Sequence, residues 1–470
     1  MRTRCIVVVL ALAVCAGGCK LGPNYKRPQV EVPPDYRAGD VNPQPNPASI
    51  ADLKWFDLFQ DPALQELVKE ALQNNFDLRI ASARVLEARA RYGIVKADQF
   101  PTVNGNASFT AQRASTVGAL NIPGAPSSAD ASFTTVGFSL SWELDIWGRI
   151  RRLKESERAL YFAAEDTQRA VIVTLIADVA SNYFRLLELD SELAIANSTL
   201  VTRQEGLRLT TARRDRGVTS SIDVRQAEDL LYTVQTQIAD IERAIEQSEN
   251  EISFLVGRVP GPIKRGQPFI SQSFPSVVPE GLPSSLLERR PDVLAAEQQL
   301  VAANAQIGAA KALYFPQISL TGFLGGESRA LSNIFTAPAR SQFISPSVVQ
   351  QIFNAGRIRS NVRFTEAQKV EFVAAYEQSV SNGFREVSNS LIEHTKSREA
   401  REQQEKVVTA RREIQRLAQV RWLGGLDSYL QVLDADRNLF EGQIFLAQLR
   451  LRELLSVVDL YRSLGGGWQT

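Results

Sequence analysis

An internal repeat, in which the same landmarks recur about two hundred residues apart, constrains the fold of this chain more than any other feature. Gly356 follows Gly148 by 208 residues and Gly425 follows Gly217 by the same interval, whereas Pro316 follows Pro101 by 215. The first copy therefore carries seven extra residues between its proline and its first glycine. Insertions are tolerated in hairpin loops rather than in packed helices, so the repeat predicts a hairpin there. The landmarks, in order, are Phe100-Pro101, Trp147-Gly148-Arg149-Ile150, Arg216-Gly217-Val218, Ser220 and Asp223 in the first copy, and Phe315-Pro316, Ala355-Gly356-Arg357-Ile358, Gly424-Gly425-Leu426 and Ser428 in the second.

The N-terminus has the pattern of a lipoprotein signal. Two arginines precede an apolar run over 6–14, and Ala16-Gly17-Gly18 precedes Cys19. This predicts a signal peptide over 1–18 and a covalent lipid on Cys19, with an ordinary signal peptide and a chance cysteine as the alternative. By resemblance to bacterial lipoproteins, Lys20 permits sorting to the outer membrane. Cys5 and Cys15 would leave with the signal, so no thiol remains for a disulfide or a metal.

Composition narrows the class of protein. Lys and Arg total 53 against 52 Asp and Glu, which gives no support to nucleic-acid binding. We find no apolar run after the signal that approaches the ~18 residues of a spanning helix, so any spanning is expected from strands. A single histidine, His394, argues against a His-paired metal site, and no phosphate loop or nucleophile motif is present. No cofactor is predicted apart from the lipid.

Prolines and helix-capping residues predict where the segments of the chain begin and end. We expect an extended, lipid-anchored segment over 19–61 that supplies reach, a first repeat over 62–258, a proline-rich linker over 259–284 outside the bundle, a second repeat over 285–461 and a tail over 462–470. Asp61-Pro62 is predicted to open a helix that continues to about residue 98. Pro291 and Asp292 are predicted to open the equivalent helix of the second copy.

Alternating segments predict two β-hairpins, at about 102–147 and 317–354. The pattern is strongest over 132–147 and is weaker around Ile318, Leu320 and Leu324. One apolar and one polar face also suit a half-buried sheet in a soluble protein. Four strands are half of the smallest membrane barrel, so either the hairpins pack on a soluble core or several chains pool them. The apolar positions of the strongest strand are Val136, Phe138, Leu140, Trp142 and Leu144.

The predicted long helices favour the pooling of strands from several chains. Residues 149–214 contain no proline and could extend ~95 Å as one helix. The next helix and the last helix each carry a heptad seam, which predicts coiled-coil packing. Apolar positions off the last seam, at Leu439, Leu446 and Leu449, are expected to need a further partner. The seam positions are Ala227, Leu231, Val234, Ile238, Ile241, Ile245, Ser248, Ile252 and Leu255, and then Leu430, Leu433, Arg437, Phe440, Ile444, Ala447, Leu451, Leu454, Val458 and Tyr461.

Several motifs, in order, resemble those of the TolC-like outer membrane factor family, in its lipoprotein (NodT-type) branch. The resemblance implies a mixed α and β fold, mostly α: a homotrimer with a twelve-stranded barrel in the outer membrane, four strands from each chain, above a coiled-coil helical tunnel in the periplasm. It also implies the exit duct of a tripartite efflux or secretion pump, with a periplasmic adaptor and an inner-membrane transporter, of RND type, as partners and no enzymatic activity. The motifs are Gly22-Pro23-Asn24-Tyr25, Arg27-Pro28, Trp55-Phe56, Asp61-Pro62, Glu288-Arg289-Arg290-Pro291-Asp292-Val293 and Leu464-Gly465-Gly466-Gly467-Trp468.

The same resemblance assigns a gate at the start of the last helix. Leu430, Asp434 and Arg437 share one helical face, and in a trimer they would form an apolar ring, a carboxylate ring and a set of arginines. Asp436 adds a second acid, so which carboxylate lines the constriction is open; the alternative is that both are ordinary surface charges. The expected link partners are Arg216, Asp223 and Arg225. The expected adaptor docking positions are Gly217, Val218, Gly425 and Leu426.

A second class of protein could use the same parts. An envelope-spanning coiled-coil scaffold lipoprotein would need the helices but no pore. The two hairpins argue against it, because a spacer has no use for lipid-facing strands.

Overall fold

The computed structural model describes residues 20–33, 50–113, 130–272 and 286–466. The predicted signal peptide, Cys19, residues 34–49, residues 114–129, residues 273–284 of the predicted linker, residue 285 and the end of the tail lie outside these ranges. The chain forms two compact units, the first from 1–28, 85–163 and 296–375 and the second from 29–84, 164–295 and 376–470. The helices are α1 Trp55–Leu58, α2 Pro62–Asn74, α3 Phe76–Ala97, α4 Arg149–Asp215, α5 Ser221–Leu255, α6 Leu286–Arg289, α7 Pro291–Ala312, α8 Arg357–Leu423 and α9 Tyr429–Ser463, and the strands are β1 Thr102–Arg113, β2 Asp130–Glu143, β3 Gln317–Ser328 and β4 Arg340–Val349.

The sequence repeat is a repeat of these elements. Helices α3 and α7 have 22 residues each, α4 and α8 have 67, and α5 and α9 have 35. Equivalent elements before the hairpins are offset by 215 residues and those after them by 208. The seven extra residues therefore enter between the end of β1 and the start of α4, within the region of the predicted hairpin.

The first unit contains one antiparallel sheet in the order β1-β2-β3-β4. Register partners share a face, and the row Val103, Leu140, Gly322 and Ile344 crosses all four strands on one side. The apolar positions predicted for β2 lie on that side, next to Leu320 and Leu324. The predicted alternation is confirmed, although Leu144 follows the end of β2.

The second unit holds a large apolar core along the predicted seams. In α5, Val234, Ile241 and Ile252 are buried, and in α9 so are Phe440 and Val458. The expectation that the off-seam positions need a further partner is wrong for Leu449, which is 2% exposed within one chain. α9 presents a second face to α8, where Gln404 Nε2 donates to the Gly442 carbonyl at 3.0 Å.

The predicted helix over 62–98 is two helices. Asp61 caps α2 as expected, with its carboxylate accepting from the Ala63 amide at 2.8 Å. Asn75 then ends α2, caps α3 through Leu78 N at 3.0 Å, and donates to the Leu255 carbonyl at 2.8 Å. The same Asn75 side chain caps α3 and bonds to the last residue of α5. The break between α2 and α3 therefore coincides with the contact between α3 and the end of α5.

The prediction that the linker lies outside the bundle is wrong for residues 259–272. Ile263 and Phe269 are buried in the core of the second unit. Arg265 pairs with Asp190 at 2.8 Å and with Glu249. Apolar burial and these ion pairs fasten this part of the linker to the helices.

The prediction of no helix-length apolar run after the signal is also wrong. Helix α4 contains a window long and apolar enough to cross a membrane. Its apolar side chains, among them Val179, Tyr183 and Leu186, are buried in the protein core of the second unit. A core helix passes the same test of length and composition, so this window is explained by burial within the protein.

Candidate gate and docking site at the helical hairpin tips

Two matching turns end the long helical hairpins. Gly217 and Gly425 both have φ of +73°. The Val218 amide donates to the Arg213 carbonyl at 2.9 Å, and the Leu426 amide donates to the Arg421 carbonyl at 2.9 Å. This is the glycine-terminated helix end in which a left-handed residue lets the next amide satisfy a free carbonyl. The turns leave Val218 and Leu426 largely exposed.

The predicted gate face is exposed at the start of α9. Leu430 is 56% exposed, so this seam position does not pack within one chain. Arg437 Nη2 lies 2.7 Å from Asp434 Oδ1, and Asn438 Nδ2 donates to Asp434 Oδ2 at 3.1 Å. Leu430, Asp434 and Arg437 therefore form one solvent-facing stripe, with the acid held by its neighbours along the helix.

Asp436 faces the interior of the second unit. Arg203 Nε of α4 donates to Asp436 Oδ2 at 2.8 Å, and Arg203 Nη1 donates to the Leu230 carbonyl of α5 at 2.8 Å. The guanidinium also lies over the Phe440 ring, 5.1 Å from its centre. The structure thus separates the two acids that the sequence left equivalent, because Asp434 faces solvent while Asp436 is paired within the chain.

A cavity of about 330 Å³ lies beside this ion pair. Its wall includes Leu230, Trp422 and Tyr429 together with Arg203 and Asp436. The Trp422 and Tyr429 rings are 4.8 Å apart, and burial raises the pKa of the Tyr429 hydroxyl.

The predicted link partners are not brought to the gate face within one chain. Asp223 caps α5 in a reciprocal capping box with Ser220, and a hydrogen bond from the Thr219 hydroxyl lowers the pKa of its carboxyl. Arg225 Nη1 pairs with Glu228 at 2.6 Å. Arg216 is exposed at the tip.

Sequence reasoning missed Arg203 and Trp422. Arg203 lies in a helical stretch rich in charges, and 233 residues separate it from Asp436. Trp422 could have been found more easily from the sequence. A large aromatic residue just before the Gly424-Gly425 turn suggests an apolar cluster at the tip of the hairpin. Trp422 packs with Ala227, Tyr429 and Leu433 in a small apolar cluster separate from the main core.

An open sheet with an apolar face and helical hairpins with a charged and apolar stripe near their tips agree with the class expected from the sequence, an outer-membrane channel. The sequence model of the outer membrane efflux protein family matches residues 67–258 and 282–466, and the chain belongs to this family. The chain is therefore an outer-membrane channel component of an efflux pump, which confirms the channel interpretation over the scaffold.

Relatives match over almost the whole chain. The solvent efflux pump outer membrane protein SrpC of Pseudomonas putida is 39% identical, over 96% of each chain. The cation efflux system protein CusC of Escherichia coli O6:H1 is 35% identical, over 99% of each. The open-state crystal structure of the MtrE outer membrane channel of Neisseria gonorrhoeae superposes with a TM-score of 0.85 at 32% identity, covering 96% of this chain and 99% of that one.

Proposed function

We propose that three copies of this chain pool their sheets into one twelve-stranded barrel in the outer membrane. The open sheet is the observation that carries the proposal. Within the described residues, β1 and β4 each pair with another strand on one side only, and an unpaired strand edge cannot lie in lipid. Closure therefore needs more strands, and three identical sheets would supply an even number of twelve.

The faces and lengths of the strands support insertion in lipid. The strands have 10 to 14 residues, which is long enough to cross a bilayer at a tilt, since ~9–11 residues suffice. Phe138, Leu324 and Ile344 lie exposed on the apolar face. The opposite face includes Ser319 and Ser347, whose hydroxyls are 2.7 Å apart, and suits an aqueous pore.

The gate is formed by three copies of the stripe on α9. Leu430 narrows the pore with an apolar ring, and Asp434 forms a carboxylate ring that selects cations. Arg437 holds Asp434 in the resting state. Opening requires α9 to turn so that the stripe leaves the axis, and the cavity beside Tyr429 gives it room.

The hairpin tips dock the pump's periplasmic adaptor. Val218 and Leu426 provide an exposed apolar contact, and Gly217 and Gly425 leave open space around the turns. The adaptor links the channel to an inner-membrane transporter, of RND type. Relatives bear names that refer to solvents, toluene and cations, so we place cargo selection in the transporter rather than in this channel.

A covalent lipid on Cys19, a residue outside the described ranges, anchors the chain to the outer membrane. The lipoprotein signal pattern that ends at Cys19 supports this assignment. The channel itself uses no cofactor.

Single-channel conductance in a planar bilayer tests the gate. Wild-type protein is expected to give small, flickering, cation-preferring steps. The Leu430→Ala, Asp434→Ala double variant is expected to give large steps without cation preference, and Gln431→Ala, on the same turn but off the stripe, serves as the matched control. Equal conductance in all three proteins would exclude the gate, and silence from inserted wild-type trimers would exclude the pore.

A further inference from the structure

Residues 20–28, which directly follow Cys19, lie extended against the rest of the first unit and make specific contacts with it. The sequence suggested a tether with no role beyond reach. Four residues of the first unit instead form a receptor for this segment, and we call Arg152, Glu297, Asn304 and Gly308 the N-terminal cradle.

Arg152 is the centre of the cradle. Its side chain is 0% exposed. Nε donates to the Leu21 carbonyl at 2.8 Å, while Nη2 donates to the Gly22 carbonyl and to Asn24 Oδ1, both at 3.1 Å. A buried guanidinium is stable only when acceptors surround it, and here most of its acceptors belong to the N-terminal segment.

Glu297 holds the other end of the segment. This buried carboxylate accepts from the Tyr25 hydroxyl at 2.9 Å and from Arg27 through two parallel bonds of 2.7 and 2.6 Å. Such a forked pair fixes orientation as well as adding energy. Asn304, which is also buried, donates to the Pro23 carbonyl between the two ends at 2.9 Å.

The backbones fit at a glycine pair. Gly22 has φ of +88°, and a Cβ on it would lie 2.4 Å from the Gly308 Cα. A Cβ on Gly308 would lie 2.5 Å from the Leu21 carbonyl oxygen. Larger residues at either position would lift the segment out of the cradle, so the Gly22-Pro23-Asn24-Tyr25 motif has a steric explanation.

The cradle lies at the level where the strands meet the helices. The Leu21 amide donates to the Trp147 carbonyl at 3.4 Å, and the Trp147 ring stacks on Phe315 at 4.9 Å. Aromatic residues gather where a membrane protein crosses the lipid–water interface. Two residues of chain span at most ~7 Å, so a lipid on Cys19 would begin within that distance of Leu21.

We propose that the N-terminal cradle is an intramolecular peptide-binding site that holds the post-anchor segment and fixes the height at which the lipid enters the membrane. The binding of the segment stands on the contacts above, whereas its role in anchoring rests on the proposed lipidation and membrane insertion. The segment binds to the rest of the first unit as a ligand would. The contacts of the cradle, and not the lipid, therefore set the position of the segment.

Amide hydrogen exchange of residues 20–27 in the purified full-length channel tests the site. Wild-type protein is expected to protect the segment, and Gly308→Ala is expected to raise its exchange at least about tenfold by opening it locally. Gly93→Ala is the matched control, since a Cβ on this helical glycine of the same unit meets nothing within 4 Å. Gly22→Ala places the same clash in the segment itself, so a folding defect in α7 cannot account for its effect.

The source of the protection is tested with the mature chain exported behind a non-lipidating signal. Equal protection is expected, and loss of protection without the lipid would overturn the proposal. So would wild-type exchange at the rate of an unstructured peptide, or wild-type protection in both Gly308→Ala and Gly22→Ala. Conductance separates this site from the proposed function, because a silent wild-type protein with a protected segment would exclude the pore and leave the cradle intact.

Discussion

Arg203 and Asp436 form a buried ion pair between α4 and α9, with 2.8 Å between Nε and Oδ2 and side-chain exposures of 4% and 15%. Asp434, two positions earlier, is 54% exposed and pairs along its own helix with Arg437. The buried pair therefore fixes the rotation of α9 about its axis. That rotation decides which acid reaches the solvent-facing stripe.

Replacing Arg203 with methionine is expected to destabilise the second unit by about 3 kcal/mol, because the Asp436 carboxylate would remain buried without its partner. Arg203→Met with Asp436→Leu should recover much of that loss, since both charges are then absent. Denaturant unfolding measures each variant in a double-mutant cycle. Arg208→Met, which breaks an exposed pair with Glu205 on the same helix, should leave stability almost unchanged. Equal losses at Arg203 and Arg208 would contradict the buried pair's role.

Alanine at Gly425 is expected to cost about 1 kcal/mol, because φ of +73° is strained for a residue with a Cβ even where there is space. The affinity of the channel for the adaptor should also fall. Binding of the detergent-purified channel to immobilised adaptor measures this affinity. Gly93→Ala should raise stability instead, since it replaces a glycine within a helix. Unchanged stability and unchanged adaptor binding at Gly425 would remove the tip turn from the docking site.

The sequence predicts elements where a local pattern specifies them. Period-two alternation identified the faces of β2, and the 208-residue interval identified Gly217 and Gly425 as equivalent tip glycines. Contacts that depend on packing were not accessible in this way. The Asn75 side chain, at the break between α2 and α3, donates to the Leu255 carbonyl, 180 residues away, and Leu449 is buried within one chain although it lies off the seam. Lipidation of Cys19 and the link partners stay predictions.

A buried acid in the middle of α4 is expected to make stability fall as pH rises. Burial, with the nearby Glu192, raises the pKa of Glu188. The unfolded chain releases this proton above the ordinary glutamate range while the folded chain keeps it, so stability decreases from there until the folded group also ionises. Glu188→Gln removes the titration, and the fall in thermal midpoint from pH 5 to pH 8, on the order of a few degrees, should shrink.

The control for this experiment is Glu205→Gln on the same helix. Glu205 is exposed, and its hydrogen bond from Arg208 lowers rather than raises its pKa. Its removal should leave the fall between pH 5 and pH 8 in place. A wild-type protein whose midpoint rises over this range would contradict the assignment of Glu188 as a protonated acid.

Adjacent residues of β2 should respond in opposite ways to the same charge. Phe138 lies on the apolar face opposite Leu324, whereas Ser139 lies on the polar face, where it accepts from Asn106 Nδ2 at 2.6 Å. Phe138→Arg places a cation in lipid, at a cost of about 2–4 kcal/mol near the bilayer centre. It should reduce the yield of heat-resistant oligomers in membranes, measured by semi-native electrophoresis. Ser139→Arg should insert normally and alter conductance, because its side chain would enter the pore. Equal insertion of both variants would mean that the apolar face does not contact lipid, and the pooled barrel would lose its physical basis.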